Sequence, residues 1–437
     1  MRTHASIGLG VPEILLPKAG TDLHKWAVIA CDQYTSEPEY WDKVAAIVGD
    51  APSTLHVTYP EVFLSEPNPE ARIARIRSTT KRYLDEGLFQ ETTGFVYLER
   101  KLGEHVRRGL MACLDLEQYD FSKGSTSPIR ATEGTILERI PPRVKIREGA
   151  AIELPHIMVL IDDPNDTVLG PLRKLANAPL YDVELMLGSG HVTGRLVDDA
   201  ALEAGVVRAI EALAGPEEFA RKCGVPADTP VLLYAMGDGN HSLATAKTIW
   251  ETAKKNGAPL DSRLRWALVE IVNLHDPSLV FEPIHRVLFD VKRDLVAAAR
   301  EAFGGRCNVV PVASFDDLRA AVDEQSGTPH KVGLVTAAGC SVLELAEPST
   351  NLPVGTLQVF LDAYMKADGA REIDYVHGAD AVTTLGQKPG NAGLYLPAMK
   401  KEDLFRTVVL DGALPRKTFS MGEAYEKRFY LEARRLA

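Results

Sequence analysis

Between two glycines and the positions that follow them, Gly237-Asp238-Gly239-Asn240-His241-Ser242 gathers a carboxylate, a carboxamide, an imidazole and a hydroxyl. Paired glycines let the backbone fold tightly and leave several peptide N–H groups pointing outward where a helix begins, a place that attracts anions, phosphate above all. Asp238 and His241 would stand beside that anion as a carboxylate and an imidazole, the groups that proton transfer or metal binding in phosphoryl chemistry requires. The same residues can equally close an ordinary strand-to-helix turn, with Asp238 holding the turn and His241 decorating the helix.

The flanking residues supply the elements that would position this turn. Val231 to Tyr234 is a short apolar run suited to an interior strand, and Leu243, Ala246, Ile249, Trp250 and Ala253 recur at helical spacing. Asn240 or Ser242 is the expected cap of that helix. Upstream, Trp26 to Ala30 reads as a buried strand that delivers Asp32, beside Cys31, to a strand end. Ser36 to Glu39 has capping-box spacing for the helix after it. Asn68-Pro69 opens a further helix, and a hairpin is expected around Gly103. From Ser125 to Gly149 the chain reads as a charged loop holding Arg130, Glu133, Arg139, Arg143, Lys145 and Arg147. Its cations could neutralise phosphate oxygens and Glu133 could hold a metal or accept a proton; local ion pairs on a solvated loop are the plainer account. Ile157 to Ile161 and Trp266 to Leu274 are expected strands, and the tail beyond Leu414 is expected to end in a polar, charged helix.

A chain of 437 residues exceeds one compact core, so two parts are expected, residues 1–286 and an intimately packed α/β part at 287–437. A net charge of -11 disfavours nucleic acid as a partner. No apolar run approaches a membrane span, and the N-terminal stretch, interrupted by Pro12 and Glu13, lacks the core of a signal peptide. Five scattered cysteines suit free thiols in a reducing cytoplasm. The 11 histidines include no His-x-x-x-His pair, which argues against a hydrolytic zinc site. Nothing in the pattern fixes whether the chain assembles into a homo-oligomer.

Several separated segments together resemble domain-of-unknown-function family 1015, whose signature is an apolar strand followed by Asp-Gly-His-His-Arg and a helix. Ala235 to Ser242 stands in that place; Asn273 to Pro277 with Pro283 to Arg286, Tyr375 to Gly378, Leu414 to Thr418, Thr132 to Thr135 and Trp26 to Asp32 match other parts of the family pattern in order. The resemblance implies a mixed α+β fold with a ParB/sulfiredoxin-like core, and kinship with SerK-type free-serine kinases. It further implies ATP or ADP with Mg2+ as cofactor and a small-molecule hydroxyl, such as that of free serine, as acceptor. A binder of nucleotides or phosphorylated metabolites without turnover is the alternative. On this resemblance Asp238, His241, Glu133 and Asp32 are the catalytic candidates and Asp238 and Glu133 the metal ligands. Gly237, Gly239, Asn240 and Ser242 would line the phosphate site. The signature's second His and its Arg are here Asn240 and Ser242, so another cation has to replace the Arg. Arg130, Arg143, Arg147, Arg286 and Lys417 are the candidates.

Overall fold

The computed structural model describes residues 1–324 and 327–436, and the chain is a mixed α/β protein that divides into two compact units. One unit comprises Met1–Leu279 together with Glu423–Ala437, and the other Val280–Gly422. The tail therefore belongs with the first unit rather than with the residues that precede it. It is not the expected helix either: Phe429–Tyr430 pairs antiparallel with Val28–Ile29, and Arg434–Arg435 with Ile152–Glu153. Residues 428–434 are all buried, the apolar ones in the core and the charged ones against buried counter-charges such as Glu270 and Glu153.

Among the described residues, eleven strands form the main sheet of the first unit. Its order runs Tyr181–Glu184, His191–Leu196, Val96–Leu102, His105–Asp115, Trp266–Asn273, Met158–Ile161, Tyr234–Asp238, Ile129–Arg130 and Tyr119–Asp120, with two short N-terminal strands at its flank. The expected hairpin joins Val96–Leu102 to His105–Asp115. Strand alternation sends Leu110, Ala112 and Leu114 to one face and Met111 and Cys113 to the other. On the first face they meet Val206 and Ile210 of the helix Ala200–Leu213 and Leu243, Ala246 and Trp250 of the helix Asn240–Lys255. On the second they meet Trp26, Trp41 and Val44. Both faces being covered explains why the central strands are continuous apolar runs.

Local readings are corrected in three places. Trp26 to Ala30 is not one strand: Leu23–Trp26 is a helical turn capped by Asp22, and only Val28–Ile29 is extended. The helix Pro38–Val48 starts after Glu37 without any side-chain cap, so the expected capping box at Ser36 to Glu39 does not form, although Pro38 suits its first turn. The charged stretch 125–149 contains a strand, Ile129–Arg130, and a helix, Ile140–Arg147, entered through prolines at its first turn.

In the second unit Phe281–Val291 is the organising strand, flanked by Ala370–His377 and Ala392–Tyr395, with His330–Thr336, Gly339–Leu345 and Cys307–Val312 continuing the antiparallel sheet. Leu318 and Val322 of one helix and Val382 of another pack on Val287, Val335 and Val342. No helix among the described residues is long and apolar enough to cross a membrane.

Candidate functional site

The glycine turn is shaped by the sheet that carries it. Met158 is opposite Asp238 and Val159 opposite Met236, so Gly237 is the extra residue of a bulge that re-aims Asp238 at the strand end. Gly239 follows at φ 79°, and a Cβ there would stand 3.1 Å from Ile157 Cα, so both conformation and close approach demand glycine. Gly239 is itself the N-cap of Asn240–Lys255, and no side chain caps that helix. Asn240 and Ser242, the expected caps, lie inside the helix and cannot fold back onto its first N–H groups. Asp238 Oδ1 accepts from Gly239 N at 2.9 Å, and its Oδ2 lies 3.2 Å from Lys427 Nζ.

A second wall comes from the segment carrying Glu133. Thr132 Oγ1 donates to Met236 O at 2.7 Å, and Ile136 N donates to His241 Nε2 at 3.4 Å. Glu133, half-buried, and Thr135 are thus held on a span fastened to the turn at both ends. Accepting at Nε2 leaves the His241 proton on Nδ1. Burial, helped by the guanidiniums of Arg143 and Arg139, pushes this imidazole below its ordinary value and keeps it neutral. Two oxygens beside the uncapped helix start, Thr135 Oγ1 and Asn240 Oδ1, are shut away from solvent without a hydrogen-bond partner. Orphaned buried polar atoms are uncommon in a finished fold and fit a site that a polar ligand completes.

Around the corner of the helix stands a cluster the sequence reading missed. His156 Nε2 lies 2.9 Å from Ser242 Oγ and 3.5 Å from Asp32 Oδ2, and its Nδ1 lies 2.8 Å from Tyr430 OH. Tyr430 OH in turn accepts from Cys31 N at 3.1 Å. Burial alone would raise the Asp32 carboxyl, but His156, the Gln33 amide and Lys427 together hold it below its ordinary value. Burial and the neighbouring Asp32 push the Cys31 thiol up, which removes it as a nucleophile. His156 precedes a strand after a proline, Tyr430 lies in the tail strand Phe429–Tyr430 and Lys427 just before it, and no local spacing marks any of the three.

Of the expected cations, two border this region. Arg143 donates to Glu61 Oε2 at 2.5 Å, and Arg147 donates to Glu153. Arg130 is turned away: its guanidinium bonds the carbonyls of Ser127, Pro230 and Val231 at the far end of the strand, and burial pushes it down to about 10. Arg286 and Lys417 belong to the second unit. There Arg286 is fully buried, donating to Gln358 Oε1 and to the carbonyls of Ile284 and Arg416, while Lys417 is exposed on a left-handed residue. The cation beside Asp238 is Lys427, which no reading of the signature proposed.

A cavity of about 430 Å³ opens beside the first turn of the helix, with Ser242, Thr245, His156 and Tyr430 on its wall. Its volume lies in the range of small-molecule sites. Among the described residues no group of three or more His, Cys, Asp or Glu could hold a metal ion, so a cation here would depend on one or two carboxylates plus ligand oxygens, the usual manner of Mg2+.

A family described as "Protein of unknown function (DUF1015)" matches residues 15–364. No curated protein matches the chain. Among solved structures, a conserved hypothetical protein from Pyrococcus furiosus is similar at 11% identity and a TM-score of 0.36, over 75% of this chain and 96% of that one. A free serine kinase mutant in complex with AMP is similar at 11% identity and a TM-score of 0.37, over 75% and 92%. SbnI with a C-terminal truncation, from Staphylococcus aureus, is similar at 10% identity and a TM-score of 0.33, over 71% and 83%. With its match running over most of its length, the chain belongs to the DUF1015 family.

Proposed function

We propose that the first unit, as an elaborated ParB/sulfiredoxin-like core, binds ATP or ADP at the glycine turn and transfers a phosphoryl group to the hydroxyl of a small molecule. The observation that carries this reading is the uncapped helix start at Gly239 with the unpartnered Thr135 hydroxyl, free to donate to a phosphate oxygen, beside it. An uncapped helix N-terminus with Lys427 alongside is suited to phosphate oxygens. In the transfer, the acceptor oxygen bonds the terminal phosphorus, the bridging P–O bond to the nucleotide breaks with its electrons going to the leaving phosphate, and the acceptor proton passes to Asp32. Asp32 is a weak base, so its part is chiefly to orient the hydroxyl, with the His156 ring at 3.5 Å to share the proton. Glu133 and Asp238 are the carboxylates that would hold Mg2+, which neutralises phosphate charge when bound. His241, neutral with Nδ1–H available, would donate to a phosphate oxygen.

A binding role without turnover is the second reading, favoured by one observation: Asp238 has both oxygens engaged, by Gly239 N and Lys427. Phosphorus-31 NMR with Mg2+, ATP or ADP and a mixture of hydroxyl amino acids and other alcohols separates the two. A new phosphomonoester resonance that disappears in Asp238→Asn and Asp32→Asn supports transfer. Nucleotide left intact, with a melting temperature that rises with nucleotide concentration, supports binding alone and refutes the transferase.

A further inference from the structure

We propose that the 430 Å³ cavity holds the acceptor and that this acceptor has an uncharged, apolar body with a hydroxyl head, and is larger than free serine; the assignment as acceptor rests on the phosphotransferase reading above. The cavity runs alongside the helix rather than ahead of it, since Ser242 and Thr245, one turn apart, share the helix face that lines it. The helix N–H groups point along the axis, so phosphates held by them leave this lateral space free. Much of the wall is aliphatic, with Val57, Ile76, Leu84, Ile146, Ile152 and Leu154.

The charges that line the cavity are already spoken for. Arg143 meets Glu61, Arg147 meets Glu153 and Lys81 meets Asp85, while Arg77, at the exposed rim, donates to the carbonyls of Lys145 and Glu148. A zwitterion such as serine needs a partner for its ammonium and another for its carboxylate, and burying either without one is costly. Each carboxylate on this wall faces a cation of the same wall, so none offers an ammonium an unneutralised charge.

One end alone offers hydrogen bonds to a neutral polar head. Tyr430 OH accepts from Cys31 N and pairs with His156 Nδ1, while His156 Nε2 faces Ser242 Oγ and Asp32. The Ser242 hydroxyl has one donor and two acceptor sites, so it can pair with His156 and with an oxygen in the cavity together. That polar end adjoins Asp32, whose Oδ2 lies 3.5 Å from His156 Nε2 and which the phosphotransferase reading makes the group that takes the acceptor's proton. Ser242 and His156 are thus positioning residues for the acceptor, in the place where the family signature carries an Arg.

The test uses the full chain and N-phenyl-1-naphthylamine, an uncharged apolar body with one N–H, as fluorescent probe. Expected are one saturable site, displacement by 2-phenylethanol and not by L-serine at equal concentration, and no displacement by saturating ADP. Ile146→Trp, which fills the cavity, should weaken probe binding at least tenfold while the calorimetric Kd for ADP stays within twofold. Ile76→Trp on the opposite wall repeats the measurement should the first variant melt early. Competitive displacement by ADP would give the cavity to the nucleoside and overturn the proposal, as would L-serine displacing the probe more effectively than 2-phenylethanol, or undiminished binding in both tryptophan variants. A chain that binds probe and 2-phenylethanol as expected but not ADP would uphold the cavity's ligand class and refute the phosphotransferase reading instead.

Discussion

Replacing Arg428 by Met should unfasten the tail from the first unit, with a pH signature opposite to that of the parent protein. Arg428 is buried and donates to Glu270 Oε2 at 2.6 Å, to Glu432 Oε2 at 2.5 Å and to Pro155 O at 3.0 Å. Both carboxylates are 0% exposed. Without the guanidinium, Glu270 keeps Arg107 at 3.5 Å and Glu432 keeps the Tyr181 hydroxyl. Breaking a buried ion pair in this way costs about 3–5 kcal/mol, which for a unit of this size lowers its melting temperature by roughly 10 °C. In the parent protein burial would raise the Glu270 carboxyl, but Arg107 and Arg428 hold it below the ordinary value. Its contribution to stability is then complete above the ordinary carboxylate range and is lost as pH falls through the lowered value. In the variant burial prevails, the carboxyl rises and takes up a proton on folding, so stability is lost as pH increases through the raised value. The deficit should therefore be smaller at pH 5 than at pH 8. Tryptophan fluorescence during urea unfolding measures it cleanly, because Trp26, Trp41, Trp250 and Trp266 all lie in the first unit. An equal deficit at the two pH values, or one below about 1 kcal/mol, would refute the reasoning.

Gly239→Ala should destabilise the first unit by about 1–2 kcal/mol, read by the same unfolding curve, since it imposes a left-handed residue and a Cβ against Ile157. Lys427→Met should raise the calorimetric Kd for ADP roughly 10- to 100-fold, the loss of one charge-assisted hydrogen bond; unchanged affinity would remove Lys427 from the phosphate site. The second unit should lose stability in acid: burial pushes His285 and His330 down to about 4, so the unfolded chain binds protons that the fold refuses. That stability is complete above about pH 6.5 and falls away toward pH 4, by up to about 3 kcal/mol per histidine. Guanidinium unfolding followed by far-UV circular dichroism, in the transition to which tryptophan is silent, should show it between pH 7 and pH 5.

The turn itself was legible because its signal is local. Gly237 and Gly239 announce a tight turn without any long-range partner, and the apolar runs on either side mark a strand and a helix, but the expected caps Asn240 and Ser242 gave way to Gly239, and the bulge at Gly237 appears only in the pairing with Met158 and Val159. What surrounds the turn was not legible, since Lys427, Tyr430 and His156 reach it from distant parts of the chain, by pairings such as Val28 with Tyr430 that leave no mark in local spacing. The tail was misread as a helix because its charges suggested a solvated surface, whereas Arg428 and Arg434 are buried against Glu270, Glu432 and Glu153. Charge predicts exposure only until a buried counter-charge exists, and two of these glutamates, Glu153 and Glu270, lie far back in the sequence. The cations near the signature were misassigned for a related reason. Arg130 has the right address along the chain, but a strand side chain can point to either end of its neighbour, and this one points to Pro230.

The return of Glu423–Ala437 to the first unit has a consequence for biosynthesis. Val280–Gly422 is translated between the two parts of that unit, so at about 5–20 residues per second the ribosome spends roughly 10–30 s on it before the missing strand emerges. Throughout that interval the nascent first unit holds Glu270 and Asp238 without Arg428 and Lys427, the cations that pair with them in the finished fold. A message truncated between the helix Asn240–Lys255 and Glu423 thus yields a polypeptide that carries the glycine turn but lacks Lys427, the lysine that pairs with Asp238 in the finished fold.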